Sequence, residues 1–173
     1  MKLLVTGGAG FIGSNFVRHI LGTYRDYKVI NLDLLTYAGN IHNLDDLKDN
    51  PDHLFVKVCL TDRALVQSLI KDHDIQAIIN FAAESHVDRS ITNPGIFVET
   101  NVQGTLNLLD AARECEVERY LQVSTDEVYG SLSKDYDKPQ PLEITDKEVK
   151  QVVKGRTDIK TYGNKYFTET TPL

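Results

Sequence analysis

Apolar positions recur along this chain in two rhythms. Short, largely apolar runs at 2–6, 27–32, 54–58 and 75–81, and the more mixed stretch 118–124, predict strands. Between them, 11–22, 43–48, 62–72 and 95–114 carry the spacing of helices. Within 62–71, Leu65, Leu69 and Ile70 fall at i, i+4 and i+5, an amphipathic stripe. The run 75–81 is almost wholly apolar, as a strand covered on both faces should be. Strand alternating with helix predicts an α/β fold: a parallel, doubly wound sheet with helices on both faces. The longest helix, 95–114, carries Phe97, Val98, Val102, Leu106, Leu109 and Ala112. Part of that face is expected to meet the sheet, and a broad remainder suits a second subunit.

The rhythm changes after Leu132. Residues 133–165 are polar and charged and are broken by Pro139 and Pro141. Inside them Thr145-Asp146-Lys147-Glu148 reads as a capping box, with Ile144 and Val149 as its hydrophobic staple. Val149, Val152 and Val153 form a small stripe and Gly155 suits a C-cap, so a short helix is expected at 146–154. Residues 1–132 are expected to form one α/β domain and 133–165 an atypical insert.

The strongest chemical signal sits between the first two strands. Gly7, Gly10 and Gly13 follow the first strand at once, a helix opens, and Asp33 ends the second strand about twenty residues on. Gly7 allows the tight turn, Gly10 lets the backbone approach a pyrophosphate, and Gly13 lets the helix pack close to the sheet. The helix N-terminus suits phosphates. The Asp33 carboxylate accepts hydrogen bonds from a ribose 2′-OH and repels a 2′-phosphate, which favours NAD over NADP. This is a Rossmann-like arrangement.

Composition narrows the partners. The formal charge is −6 and no long basic run occurs, which argues against nucleic acid. The apolar segments are too short and interrupted to span a membrane. The chain enters a strand directly and shows no signal peptide. Cys59 and Cys115 form no metal or redox motif, which fits a reducing, cytoplasmic setting.

Two polar constellations follow later strands. Asn80, Phe81, Ala82 and Ala83 lead into Glu84, Ser85, His86, Asp88 and Arg89, expected to crowd the mouth of a crevice at the strand ends. A solvated loop with an Asp88–Arg89 charge pair fits the same residues. Beyond the fifth strand, Ser124-Thr125-Asp126-Glu127 emerges at the same edge. Two adjacent carboxyls can split into acid and base roles if their surroundings separate their pKa values; a strand-end turn with two exposed acids is the other reading.

Together, 7–13, 35–40, 82–90, 100–105 and 124–130 resemble the nucleotide-sugar 4,6-dehydratases of the extended short-chain dehydrogenase/reductase superfamily, dTDP-glucose 4,6-dehydratases foremost. The resemblance covers 1–132 and resumes at 166–173. It implies that NAD oxidises a nucleotide sugar, dTDP-glucose or a relative, at C4. It implies that Glu127 removes the C5 proton, that Asp126 protonates the departing C6 hydroxyl, and that Thr125 hydrogen-bonds the C4 oxygen. Ser85 would contact the hexose. Phe11, Ile12, Asp33, Leu34, Leu35, Thr36, Phe81, Ala82, Ala83, Glu84, Ser85 and Thr100 would line the cofactor. The family is homodimeric, with the long helix at the interface, so self-association through 95–114 is implied as well.

Three departures from the family pattern stand out. Val58-Cys59-Leu60 replaces Gly-Asp-Ile, so Cys59 and Leu60 occupy the adenine-binding positions without the carboxylate. Residues 133–165 replace a short turn. The chain's last residues precede the place where the family carries Tyr-x-x-x-Lys, and Tyr162 with Lys165 has the wrong spacing. The expectation is therefore an incomplete fold that binds NAD weakly and shows no dehydratase activity by itself. Two alternatives remain: a non-catalytic NAD- or nucleotide-binding fragment, and a dehydratase acting on another nucleotide sugar such as UDP-GlcNAc.

Overall fold

The structure is a computed structural model, and it describes residues 1–125 and 128. The chain divides into two compact units, Met1–Val123 and Ser124–Leu173. Asp126, Glu127, the capping box, the 146–154 helix, Tyr162 and the 166–173 segment lie outside the described residues.

In the first unit β1 (Lys2–Thr6), α1 (Phe11–Thr23), β2 (Lys28–Asp33), a 3-10 segment (Ile41–Leu47), β3 (His53–Lys57), α2 (Arg63–Asp72) and β4 (Ala77–Asn80) follow in order. Then come α3 (Val87–Thr92), α4 (Pro94–Phe97), a π-helical segment (Val98–Gly104), α5 (Thr105–Glu114) and β5 (Arg119–Gln122). The five strands form one wholly parallel sheet in the order β3-β2-β1-β4-β5. The first three strands step outward one way from β1, and β4 and β5 step the other way. That reversal opens a crevice at the carboxyl ends of β1 and β4, where ligands bind in such folds. The fold is Rossmann-like, as the alternation predicts.

Successive side chains of β1 point to opposite faces and build two cores. Leu4 joins Ile30, Leu32, Val66, Ile70, Ile78, Leu108 and Ala111 on one face. Leu3 and Val5 join Ala9, Val17, Ile20, Val29, Leu44 and Ile79 on the other. Each core is sealed by its own helices, which is why the central strands are mostly apolar, with Thr6, Asn31 and Asn80 as buried polar exceptions.

Local sequence explains where the helices stand. Asp62 caps α2 by accepting from the Leu65 amide at 3.1 Å. That start places Val66 and Ile70 in the core and leaves Leu65 exposed, so the expected stripe turns by one residue. The predicted 43–48 helix is a 3-10 segment opened by Asn40, whose side chain accepts from His42 N at 3.1 Å. The 95–114 prediction corresponds to three consecutive helical pieces, α4, the π segment and α5. Gly104, Asn107, Leu108, Ala111 and Ala112 face inward, whereas Val98, Val102, Leu106 and Leu109 are exposed. Most of the expected apolar stripe therefore points away from the sheet. The inward face has to be small at Gly104, where the π segment packs tightly: an added Cβ there would lie 3.1 Å from Leu60 Cβ. Asn107 is buried because its amide donates to the Leu60 carbonyl at 3.0 Å. No described helix is long and apolar enough to cross a membrane.

One histidine sits where protonation is unfavourable. Half-buried His53 has Nδ1 3.3 Å from the Leu47 carbonyl and Nε2 3.2 Å from the Asn31 amide nitrogen. A neutral ring donating from Nδ1 and accepting at Nε2 satisfies both contacts; a second proton would face the amide donor. Burial holds its pKa below the usual imidazole value. A lowered histidine pKa means the unfolded chain binds the extra proton first. Stability is then complete above about pH 6.5 and falls as pH drops toward the folded-state value. Urea midpoints at pH 7.5 and 5.5 should show this loss in the wild type and a smaller loss in His53→Gln. Equal losses would mean that His53 is not the group responsible.

Candidate functional site

The crevice at the sheet's carboxyl edge is a cleft of about 710 Å³, open mouth included. Its floor is the glycine turn. Gly7 has φ +70°, and its amide donates to the Leu32 carbonyl at 2.8 Å. A Cβ there would lie 2.6 Å from the Ala82 nitrogen, so only glycine lets the turn rest on the segment that follows β4. Gly10 lines the cleft and caps α1 without a side chain. Ser14 N donates to Gly10 O at 3.0 Å, while the amides of Phe11, Ile12 and Gly13 have no backbone partner among the described residues. With no acidic side chain in that first turn, this helix end favours an anion. Gly13 is buried beside the Gly7 carbonyl; Phe11 and Ile12 are exposed, and none of these three forms the cleft wall.

Asp33 ends β2 and stands in the wall. Its Oδ2 accepts from Ala9 N at 2.9 Å and its Oδ1 from Leu35 N at 2.7 Å. Two amides fix the carboxylate, yet each oxygen retains a lone pair for a further donor. Leu35 takes a left-handed conformation, φ 57°, uncommon for a residue with a side chain. The turn it makes carries Leu34, Thr36, Ala38 and Gly39 along one lip of the cleft, while Leu35 itself packs against the core. Asn40 N and Asn43 Nδ2 both donate to the Ala9 carbonyl, at 3.0 and 2.9 Å, and pin this lip to the glycine turn.

The far wall comes from β3 and β4. Val58, Cys59, Leu60 and Thr61 supply one part, and Cys59 Sγ lies 2.9 Å from Thr61 Oγ1. Phe81, Ala82 and Ala83 supply the other, with Phe81 tilted against Phe16 at 5.1 Å. Thr100 reaches the cleft from the π segment. Such widened turns interrupt helices at functional sites. Here the wide turn also delivers Asn101, which accepts from Glu84 N and donates to Glu84 O, both at 2.8 Å.

Glu84 lines the cleft, as the resemblance implies, and it is buried there at 4% exposure. Its Oε2 faces Arg89 Nε at 3.5 Å. The charge pair is thus Glu84–Arg89 rather than Asp88–Arg89, and the 87–92 segment is the short helix α3, not a loop. The helix supplies the reason: residues five apart along an end-and-turn meet where adjacent ones diverge. Ser85 and His86 are exposed, and Ser85 lies outside the cleft wall. Thr125 is an exposed residue of the second unit. Asp126 and Glu127 lie outside the described residues. Among the described residues no cluster of His, Cys, Asp and Glu could hold a metal ion.

The motif reading overlooked Leu32, Ala38, Gly39, Val58 and Thr61 as wall residues. It also overlooked Gly8, where a Cβ would fall 1.9 Å from Asn31 Oδ1. Buried Asn31 in an otherwise apolar strand is the one signal that could have drawn attention to it.

This arrangement defines a dinucleotide-type cleft: a helix end for an anion, a fixed carboxylate for a diol, and apolar walls for flat rings. The family model for GDP-mannose 4,6 dehydratase matches residues 4–145, and the chain belongs to that family. A low-salt glycan biosynthesis protein of Haloferax volcanii is 58% identical over 132 residues, covering 76% of this chain and 42% of the relative. A dTDP-glucose 4,6-dehydratase of Xanthomonas campestris is 54% identical, covering 75% and 39%. The crystal structure of a dTDP-glucose 4,6-dehydratase from Streptomyces venezuelae, with NAD bound, superposes with a TM-score of 0.72 at 52% identity, covering 77% of this chain and 42% of that one. A UDP-glucose 4-epimerase of Thermotoga maritima superposes at 0.69 with 31% identity, covering 80% and 43%. The chain thus spans about two fifths of the length of the relatives it matches.

The glycine turn is testable through stability. Gly7→Ala should cost about 1–3 kcal/mol from its positive φ alone. Gly22→Ala, where a Cβ meets nothing within 4 Å, should stabilise by up to about 1 kcal/mol. Chemical denaturation of both variants checks the contrast, and a neutral Gly7→Ala would refute the close approach to Ala82.

Proposed function

We propose that the cleft binds NAD and that this chain carries the cofactor-binding part of a nucleotide-sugar 4,6-dehydratase. The observation that carries the reading is Asp33: a carboxylate held by two amides, with lone pairs free, beside a glycine turn and a helix N-terminus. The donors fit the group. The α1 amides suit the pyrophosphate, Asp33 the adenosine ribose hydroxyls, and Val58, Leu60 and Ala82 a flat ring. Cys59, joined to Thr61, offers no charged acceptor at the adenine end. The relatives named above support the same cofactor.

When bound, NAD supplies a hydride acceptor that later returns the hydride. No residue of this chain is assigned to take the C4 hydroxyl proton, so the chain is proposed not to turn over substrate by itself; its own residues would serve the elimination that follows. Once C4 is a carbonyl, the C5 proton is acidic enough to remove. Glu127 takes it, and Asp126 gives a proton to the departing C6 hydroxyl, so water leaves across C5–C6. Thr125 holds the C4 oxygen and Ser85 the hexose. Each role is a proposal drawn from the resemblance of 124–130 and 82–90 to the family. dTDP-glucose is the favoured substrate, because relatives of that activity dominate the close matches. The exposed stripe Val98, Val102, Leu106 and Leu109 is the place proposed for a second copy.

Calorimetry should find NAD binding about tenfold or more tighter than NADP, and Asp33→Ser should narrow the gap. Equal affinities in the wild type would defeat the Asp33 assignment. In a protein with full dehydratase activity, Glu127→Gln should lower formation of the 4-keto sugar by about a hundredfold or more. Unchanged turnover would place the base elsewhere. Light scattering should show a dimer that Leu106→Glu with Leu109→Glu dissociates; a monomeric wild type would remove the proposed interface.

A further inference from the structure

A buried charge with incomplete bonding lies beside the cleft. Glu84 Oε2 is buried and has no hydrogen-bond partner, and the same holds for Arg89 Nε, 3.5 Å away. Isolating such charges from water is costly unless they pair. The Glu84 backbone does not need the pair, because Asn101 already holds both its N–H and its C=O. What the carboxylate does hold is the Arg89 guanidinium, whose Cζ lies 4.2 Å from the centroid of the Tyr37 ring. That contact is a cation–π interaction.

Its position gives it a consequence. Tyr37 lies between Thr36 and Ala38 on one lip, and Glu84 belongs to the other. The near lip is anchored at its ends, through Asp33 to Leu35 N and through Asn40 N to the Ala9 carbonyl. Between those anchors the Tyr37 ring meets Arg89 and stands in a T-shaped arrangement with the His86 ring, centroids 6.2 Å apart. Neither Tyr37 nor Arg89 forms part of the cleft wall. Replacing Tyr37 leaves the wall's own chemistry unchanged, whereas replacing Arg89 also leaves the Glu84 carboxylate of the wall without its partner.

We propose that Arg89, braced by Glu84, is a positioning residue that straps the Tyr37 lip to the opposite lip and so slows the escape of the dinucleotide. The proposal rests on the NAD-binding reading. Because the strap joins the lips without touching the ligand, it acts on dissociation and not on recognition.

Stopped-flow NADH fluorescence on the full chain tests it, and the absence of tryptophan keeps the protein background low. Arg89→Ala and Tyr37→Ala should each speed NADH dissociation on the order of five- to thirtyfold, with association no slower. The double variant should match Arg89→Ala, since the cation–π contact that Tyr37→Ala removes is already lost there. Tyr37→Phe keeps the ring face and should retain the wild-type rate. Tyr37 is 50% exposed, so its variants report even if Arg89→Ala fails to fold. Unchanged dissociation in Tyr37→Ala, or rate increases that multiply in the double variant, would overturn the strap while leaving the cofactor reading intact. A wild-type chain that binds no NADH would overturn both.

Discussion

The carboxyl edge of the sheet depends on how closely two backbones approach. Gly7 leaves β1 with φ +70°, and the space where a Cβ would stand is 2.6 Å from the nitrogen of Ala82. That approach brings the turn after β1 and the segment after β4 together at the point where strand order reverses. It sets where α1 begins and where its free amides lie. It also brings Ala9 to the Asp33 carboxylate, and the Ala9 carbonyl in turn holds the lip at Asn40 and Asn43. A side chain at Gly7 would separate these contacts together.

A second layer of organisation comes from polar groups buried where strands end. Thr6 donates to Asn80, and Asn80 donates to Gln122 at 2.9 Å. Its Oδ1 also accepts from Ala82 N at 3.1 Å. The chain of amides crosses β1, β4 and β5 just below the cleft. Buried polar groups are tolerated when every member is satisfied, and they then fix one arrangement over its neighbours. Tyr120 closes this row through a 2.7 Å bond from its hydroxyl to Gln122, with burial raising its pKa.

Much of this was legible in the sequence. All five expected strands form, and the apolar runs are cleanest at β1, β2 and β4, which lie inside the sheet; the edge strands β3 and β5 are exposed or half-buried. The glycine spacing and Asp33 marked the cleft, because backbone approach and a fixed carboxylate demand particular residues. Less legible was anything set by contacts far apart in the chain. The inward face from Gly104 through α5 is built from Gly104, Asn107, Leu108 and Ala111, while Leu106 and Leu109 point outward; close packing of Gly104 on Leu60 sets that rotation. Glu84 is placed at the cleft by the motif, but its burial and its pairing with Arg89 show only once Asn101 and Arg89 are seen around it. The π turn that delivers Thr100 and Asn101 has no sequence signature of its own.

The central claim is that the cleft between the glycine turn, the Asp33 lip and the Ala82 strand end takes a dinucleotide. Amide hydrogen exchange with and without NAD tests it most directly, because it reads every wall segment at once. The account predicts slower exchange in 7–13, 33–39, 58–61 and 81–84 when NAD is present, with α2 and the amino ends of the strands unchanged. NAD-dependent protection confined to other segments, or none at saturating NAD, would contradict it.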